Sequence, residues 1–399
     1  MHTTLVISKL LKKMGWCLCK CRPSLSTFSS LLYSKTSSLP FPSTFLPSSS
    51  STTTTPSIKS NIFSSSISSF ASSSAVATGT FTWEDVFRIS QSAEEEEDNN
   101  SSYLHGYFHK VQLCNRGSGK QSEFLPFVIE DQTVGFIHSG FVEHFKSFSD
   151  VFINIKDNSN GGSIGECVSL NPMLKTAEER TSAVAYVIKC LGEEHIPGIR
   201  NELYPVVSSF GSRVLFSLER AAAPYFGIKA YGIHMNGYVE IDGQKHLWIG
   251  KRSNTKQTYP GMLDHLVAGG LPHGIDCKEN VVKECEEEAG IPRSISSRAK
   301  PVGAVSYMDI DGYRYKRDVL FCYDLKLPEN FIPKNEDGEV ESFKLIPVRQ
   351  VAEVIRKTQF FKPNCSLVII DFLFRHGYIS PENFGYLDLL RSLRIGYCS

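Results

Sequence analysis

An α+β protein in two folded parts behind an unstructured leader is what this sequence of 399 residues predicts. Three observations carry the prediction. The first eighty residues are rich in Ser and Thr and hold no acid. Beyond them, apolar stripes at helical spacing alternate with runs of period two, the signals of helix and strand. Near Gly227 the texture then changes, from a mixture of helix and strand to a succession of antiparallel strands.

The leader comes first. Residues 1–83 contain Lys9, Lys12, Lys13, Lys20, Arg22, Lys35 and Lys59 but neither Asp nor Glu, and Ser or Thr runs recur at 48–51, 52–55 and 72–74. Such a stretch cannot bury enough apolar surface to offset its chain entropy. Acid-free, hydroxyl-rich and weakly basic composition marks an organelle transit peptide, and a single Arg among seven cations points to a plastid, with the stroma of the chloroplast as destination, rather than a mitochondrion. The expected parts are therefore a disordered transit peptide over 1–80, an α+β accessory domain over 81–228, and a larger domain with C-terminal helices over 229–399.

In the accessory part, Thr82 caps a short helix that carries Trp83, Val86 and Phe87, with Glu84 and Asp85 in its first turn. The acidic run Glu94–Asp98 reads as a solvated loop. Phe124–Ile129 and Val134–His138 are strands around a turn at Glu130-Asp131-Gln132. Thr176 and Glu179 form a capping box ahead of a helix whose buried stripe is Val184, Val187, Ile188 and Leu191, stopping at Gly192. Pro205–Leu218 reads as one strand and Leu218–Ala223 as a helix ended by Pro224. Arg220, beside Glu219, is expected to form an interdomain ion pair rather than to bind substrate.

In the larger part, Ala230–Ile241 is a strand that turns at Asp242-Gly243 into Leu247–Gly250. Leu263–Ala268 is another, running into Gly269-Gly270, and a helix spans 278–289. Val302–Met308 and Tyr315–Leu325 pair around Asp311-Gly312. Helices over 348–357 and 367–376, and one opened by Ser380 and Pro381, close the chain.

Composition excludes several functions. Beyond the leader, 35 basic face 42 acidic residues, so a nucleic-acid backbone would be repelled. No apolar run reaches the ~18 residues of a membrane span. Of eleven Cys, three (Cys17, Cys19, Cys21) lie in the leader, and the rest are scattered without metal-ligand spacing, some inside apolar runs such as those of Cys190 and Cys322. They read as reduced, buried thiols. The oligomeric state is left open.

The chemistry gathers in Gly269-Gly270-Leu271-Pro272-His273-Gly274 and the helix that ends Lys283-Glu284-Cys285-Glu286-Glu287-Glu288-Ala289-Gly290-Ile291. On a helix Glu284, Glu287 and Glu288 share one arc, while Val281, Val282, Cys285 and Ala289 share the next. Three converging carboxylates weaken a bare helix unless hard cations sit among them. Mg²⁺ suits such a site, Mn²⁺ also, and both keep open positions for water and phosphate oxygens. The Gly-rich loop lets backbone approach a diphosphate closely. Lys251 and Arg252 are candidates for holding its non-reacting phosphate, together with Gly269 and Gly270. His234 and His265 are candidate pocket or structural residues, and Glu339 or Glu341 a candidate fourth metal ligand or base.

This segment resembles the Nudix box: Gly, five residues, Glu, seven residues, Arg-Glu-apolar-any-Glu-Glu-any-Gly-apolar. Gly269, Glu284, Glu287, Glu288, Gly290 and Ile291 match, whereas the family's first Glu falls on Ile275 and its Arg on Lys283. In the family those two groups brace the loop against the helix. The resemblance covers about 230–360 and implies an α/β/α sandwich with a mixed sheet. It further implies Mg²⁺-dependent hydrolysis of a small-molecule diphosphate, with Glu284, Glu287 and Glu288 as metal-holding catalytic residues. Glu219–Pro224, Tyr231–Tyr238 and Pro260–Asp264 are similar to a narrower group, plant chloroplast Nudix hydrolases with an extra N-terminal domain, related to the Nudix part of fungal thiamine pyrophosphokinases. That likeness alone implies oxidised (oxo- and oxy-) thiamine diphosphates as substrates. The alternatives are a generalist nucleoside-diphosphate hydrolase and a catalytically silent binding module.

Overall fold

Chain direction reverses at short turns rich in Asp and Gly, and these reversals build the sheet that carries everything else. The computed structural model describes residues 81–91, 103–155 and 166–396; the expected transit peptide and the acidic run at 94–98 lie outside them. The described residues belong to one compact unit, Ala75–Ser399.

Helices α1 (Trp83–Gln91) and α2 (His105–Cys114) open the chain. Thr82 caps α1 as expected, its hydroxyl accepting from the Asp85 amide at 3.3 Å. Strands β1 (Phe124–Ile129), β2 (Gln132–His138), β3 (Phe152–Ile155) and β4 (Cys167–Leu170) form a sheet in the order β2-β1-β4-β3. Helix α3 (Ala177–His195) covers it, started by the Thr176/Glu179 capping box and kinked at Gly192 without ending there. Cys190, expected to be buried, is exposed on α3, while Cys322 is fully buried.

The expected strand over 205–218 is instead a hairpin of β5 (Leu203–Val206) and β6 (Phe216–Glu219). Its turn is held by the Ser212 hydroxyl donating to the Ser209 carbonyl at 2.8 Å. The helix expected to follow is a single 3-10 turn, Arg220–Ala222. Arg220 does form an ion pair, with Glu202 at 2.7 Å, but within the same part of the chain rather than between parts, and the Glu219 carboxylate accepts from the amides of Arg200 and Ala221.

The large sheet runs β11 (Lys300–Asp311), β12 (Arg314–Lys326), β7 (Lys229–Ile241), β8 (Gln244–Arg252), β13 (Val340–Pro347). It is mixed, since β7 and β12 are parallel while the other pairs are antiparallel. The strand expected over 263–268 divides into β9 (Leu263–Asp264), paired with β8, and β10 (Val267–Gly270), paired with β7. The division falls where the Asp264 carboxylate accepts from the next residue's amide at 2.9 Å and turns the chain from one partner to the other.

Alternation along β12 assigns the faces. Tyr323 and Leu325 pack with Val281, Val282, Cys285 and Ala289 of α4 (Cys277–Ala289). Leu320 and Cys322 pack on the opposite side beneath α5 (Val348–Lys357) and α6 (Pro363–Arg375). An α/β/α sandwich results. Val86 of α1 and Tyr107 and Val111 of α2 are buried in that second layer, beside Val351, Ile355 and Phe372, although they precede the accessory sheet in sequence. The last helix, α7 (Tyr386–Ser392), starts six residues after Ser380, because Ser380 and Asn383 close a turn of their own.

Candidate active site

β10 delivers Gly269 and Gly270 to the sheet edge, and α4 returns over them. Asp276 caps α4 through the Glu279 amide, and Gly290 ends it at a φ of 60°. Asn280, fully buried, donates to the Gly270 carbonyl at 2.7 Å and ties helix to loop. A Cβ at Gly269 would overlap the Glu284 carboxylate, and one at Gly270 would overlap the Tyr204 hydroxyl. Both glycines are required by close approach.

Glu284 and Glu288 sit together against this loop. The Glu288 carboxylate accepts from the Ala268 amide at 2.8 Å. Burial raises its proton affinity well above the usual carboxylate range, against the pull of that amide and with the push of Glu284, Asp264 and Glu339. Burial also raises Glu284, which Lys283 partly offsets. Glu287 stands apart: it is half exposed and bound by Lys283 at 2.6 Å, and the same ammonium reaches Glu284 at 3.4 Å. Lys283 has no acid at position 275 to engage, and it turns to the carboxylates beside it. Ile275 packs instead with Val207, Tyr231, Leu271 and Val319.

Glu288 also faces Glu339 and Asp337, whose oxygens lie within 4.8 Å of its own and of each other. These acids precede β13 in the turn at Gly338. A half-buried carboxyl crowded by like charges suits a hard divalent cation. Glu284, Glu288, Glu339 and Asp337 would hold it, with Glu287 available once Lys283 moves aside.

Beside Glu288 a small cavity is lined by Arg252, Asp264, His265 and Glu339. Arg252 reaches the Asp264 carboxylate at 2.7 Å and Lys362 reaches it at 3.2 Å. Burial would raise this acid, but Lys362, His265 and Arg252 hold it far below the usual range. His265 is pushed down to about 4 by burial, against Asp264, and neither ring nitrogen has a partner among the described residues. His234 and the thiol of Cys365 lie beside it.

Of the residues expected from sequence, Gly269, Gly270, Glu284 and Glu288 come together, and Arg252 and His265 line the adjoining cavity. Lys251 does not join them. It pairs with Glu341 at 3.3 Å and lies over the Phe81 ring. Sequence reasoning missed Asp264, Asp337 and Tyr204. Asp337 carried a signal, since Glu336-Asp337-Gly338-Glu339 is an acidic turn before a strand. Tyr204 carried none.

Residues 237–364 match a family described as NUDIX domain, and residues 106–230 match a domain of unknown function, DUF4743. The chain is 64% identical to Nudix hydrolase 20, chloroplastic, of Arabidopsis thaliana over 82% of its own length and 87% of that protein's. It is 63% identical to Nudix hydrolase 24, chloroplastic, of the same plant, over 80% and 85%. An uncharacterized protein of Saccharomyces cerevisiae is 45% identical over 49% of this chain and 60% of its own.

Proposed function

The chain belongs to the Nudix hydrolase family, and from that premise we propose that it hydrolyses oxidised thiamine diphosphates to monophosphates plus phosphate with Mg²⁺ in the plastid stroma. Cleavage of a pyrophosphate-type bond comes with the family. The observation that best supports a working site, rather than a silent binding module, is the carboxyl of Glu288 held among Glu284, Glu339 and Asp337. Lys283 and Lys256 offset part of that charge, and a bound cation would offset the rest. When bound, a divalent cation would offset diphosphate charge and make hydroxide available near neutral pH.

The chain's own residues divide the remaining work. Gly269 leaves room for the Glu284 carboxylate, and Gly270 for the Tyr204 hydroxyl. The Ala268 amide fixes the Glu288 carboxylate, and Asn280 fixes the Gly270 carbonyl. Arg252, anchored by Asp264, offers a cation at the cavity wall for the phosphate that does not react.

Substrate choice rests on the likeness of 219–224, 231–238 and 260–264 to the plastid subgroup. Support for the compartment comes from the acid-free leader and from the two Arabidopsis relatives, both named chloroplastic. The test is release of phosphate from oxo-thiamine diphosphate with Mg²⁺, against ADP-ribose and NADH. Preference for the first supports the proposal, preference for the others makes the protein a generalist, and no turnover leaves a binding module.

A further inference from the structure

We propose that the β5–β6 hairpin of the N-terminal part scaffolds the metal-binding loop, in place of the ion pair that the family pattern sets at the positions of Ile275 and Lys283. This rests on the hydrolase reading of the site. Four contacts converge on one short loop. The Leu203 carbonyl accepts from the His273 amide at 2.9 Å. Ser217, buried on β6, bonds the His273 ring at 2.7 Å. The Tyr204 hydroxyl fills the space in which Gly270 lacks a side chain. Val207, just beyond β5, shares a buried cluster with Leu271, Tyr231 and Val319, and Ile275 packs against that cluster.

The hairpin itself is anchored on the large sheet. Phe210 at its tip lies 4.9 Å from the Tyr231 ring and 4.6 Å from Phe321, centroid to centroid. Arg220, paired with Glu202, lies over the Tyr204 ring at 5.5 Å. Ile275 joins the apolar cluster to which Val207 and Leu271 belong. The bracing therefore combines two hydrogen bonds with apolar packing, and it comes from residues that precede the Nudix match. Tyr204, Val207 and Ser217 are positioning residues: they touch the loop, and through it they set where Gly269, Gly270 and Glu284 stand.

The experiment measures Mn²⁺ binding by electron paramagnetic resonance, without substrate, on the protein lacking residues 1–75. Val207→Ala and Ser217→Ala, separately and together, should weaken binding about tenfold. Adding Ile275→Glu with Lys283→Arg to the double variant should return affinity to within about threefold of wild type. Amide exchange over 269–275, read in parallel, should quicken in the clamp variants and slow again in the rescued one. Binding within twofold of wild type in the clamp variants overturns the inference. So does loss without rescue, because a merely structural contact would give that result. If the wild type itself binds no Mn²⁺, the hydrolase reading has failed, and the exchange rates alone decide whether the hairpin braces the loop.

Discussion

Glu288 is the residue on which the proposed chemistry turns. Gln has its shape and can still accept from the Ala268 amide, so packing should survive while the charge is lost. Glu288→Gln is expected to cut turnover at least about a hundredfold and to leave the melting temperature within a few degrees. Activity within a few-fold of wild type would remove α4 from the mechanism. His265 makes a separate prediction about pH. Its folded-state pKa of about 4 lies below the ordinary 6.5, so the unfolded chain takes up the proton first as pH falls. The stability it supports is complete above 6.5 and is lost between 6.5 and 4, by roughly 3 kcal/mol. Urea unfolding across that window should slope less steeply in His265→Asn, and equal slopes would show that His265 is not the titrating group. At this scale the sequence was a partial guide. Glu284 and Glu288 could be read from their spacing, but Lys251 and Arg252 are adjacent and indistinguishable in a list of residues. Asp264 holds Arg252 at the cavity, and Glu341 pairs with Lys251.

Elements behaved as their local chemistry dictates wherever that chemistry was self-contained. The Thr176 capping box, the Asp242-Gly243 turn and the apolar stripe of α4 all formed where the residues indicated. Misreadings cluster where a strand changes partner, as at Asp264-His265, and where a Ser- and Gly-bearing turn lies inside an expected strand, as at Ser209–Ser212. The loop before α4 offers the sharpest test at this scale. In Gly269→Ala the new methyl group must displace the Glu284 carboxylate, the end of a flexible side chain, so the fold should persist. Hydrolysis should fall by roughly tenfold or more, with a higher Mg²⁺ requirement. Unchanged Mg²⁺ dependence would mean that Glu284 has no part in holding the cation.

For the whole molecule, the expectation is that residues 1–75 contribute nothing to catalysis, and their removal should leave kinetics and melting temperature unchanged. Cutting to residue 100 takes away α1. Val86 then leaves the core, Phe81 leaves its stack on Phe360 at 4.1 Å, and Trp83 loses its bond to Ser342 at 2.9 Å. Each buried apolar side chain contributes about 1.5–3 kcal/mol, so the melting temperature should drop by roughly 5 °C or more. An unchanged melting temperature would show that α1 packs without stabilising. A fluorescent protein fused behind residues 1–80 should enter plastids. Cytosolic signal would defeat the targeting proposal, and mitochondrial signal would show that a low Arg count does not discriminate.

The sequence by itself determined the α+β class, the leader's composition, the helix that carries the carboxylates and the box that identifies the family, because each depends on residues close together in the chain. Capping, periodicity and helical spacing are local physics, legible without a fold. Only the tertiary structure decided that α1 and α2 join the helical layer of the larger part, and that Asp337 and Glu339 meet Glu288. It also decided that the residue standing at 275 leans on a hairpin some seventy positions upstream. Those outcomes depend on which apolar surfaces are left to cover once neighbouring elements have folded. No window of sequence contains that information, since the burial that drives it belongs to pairs of distant surfaces.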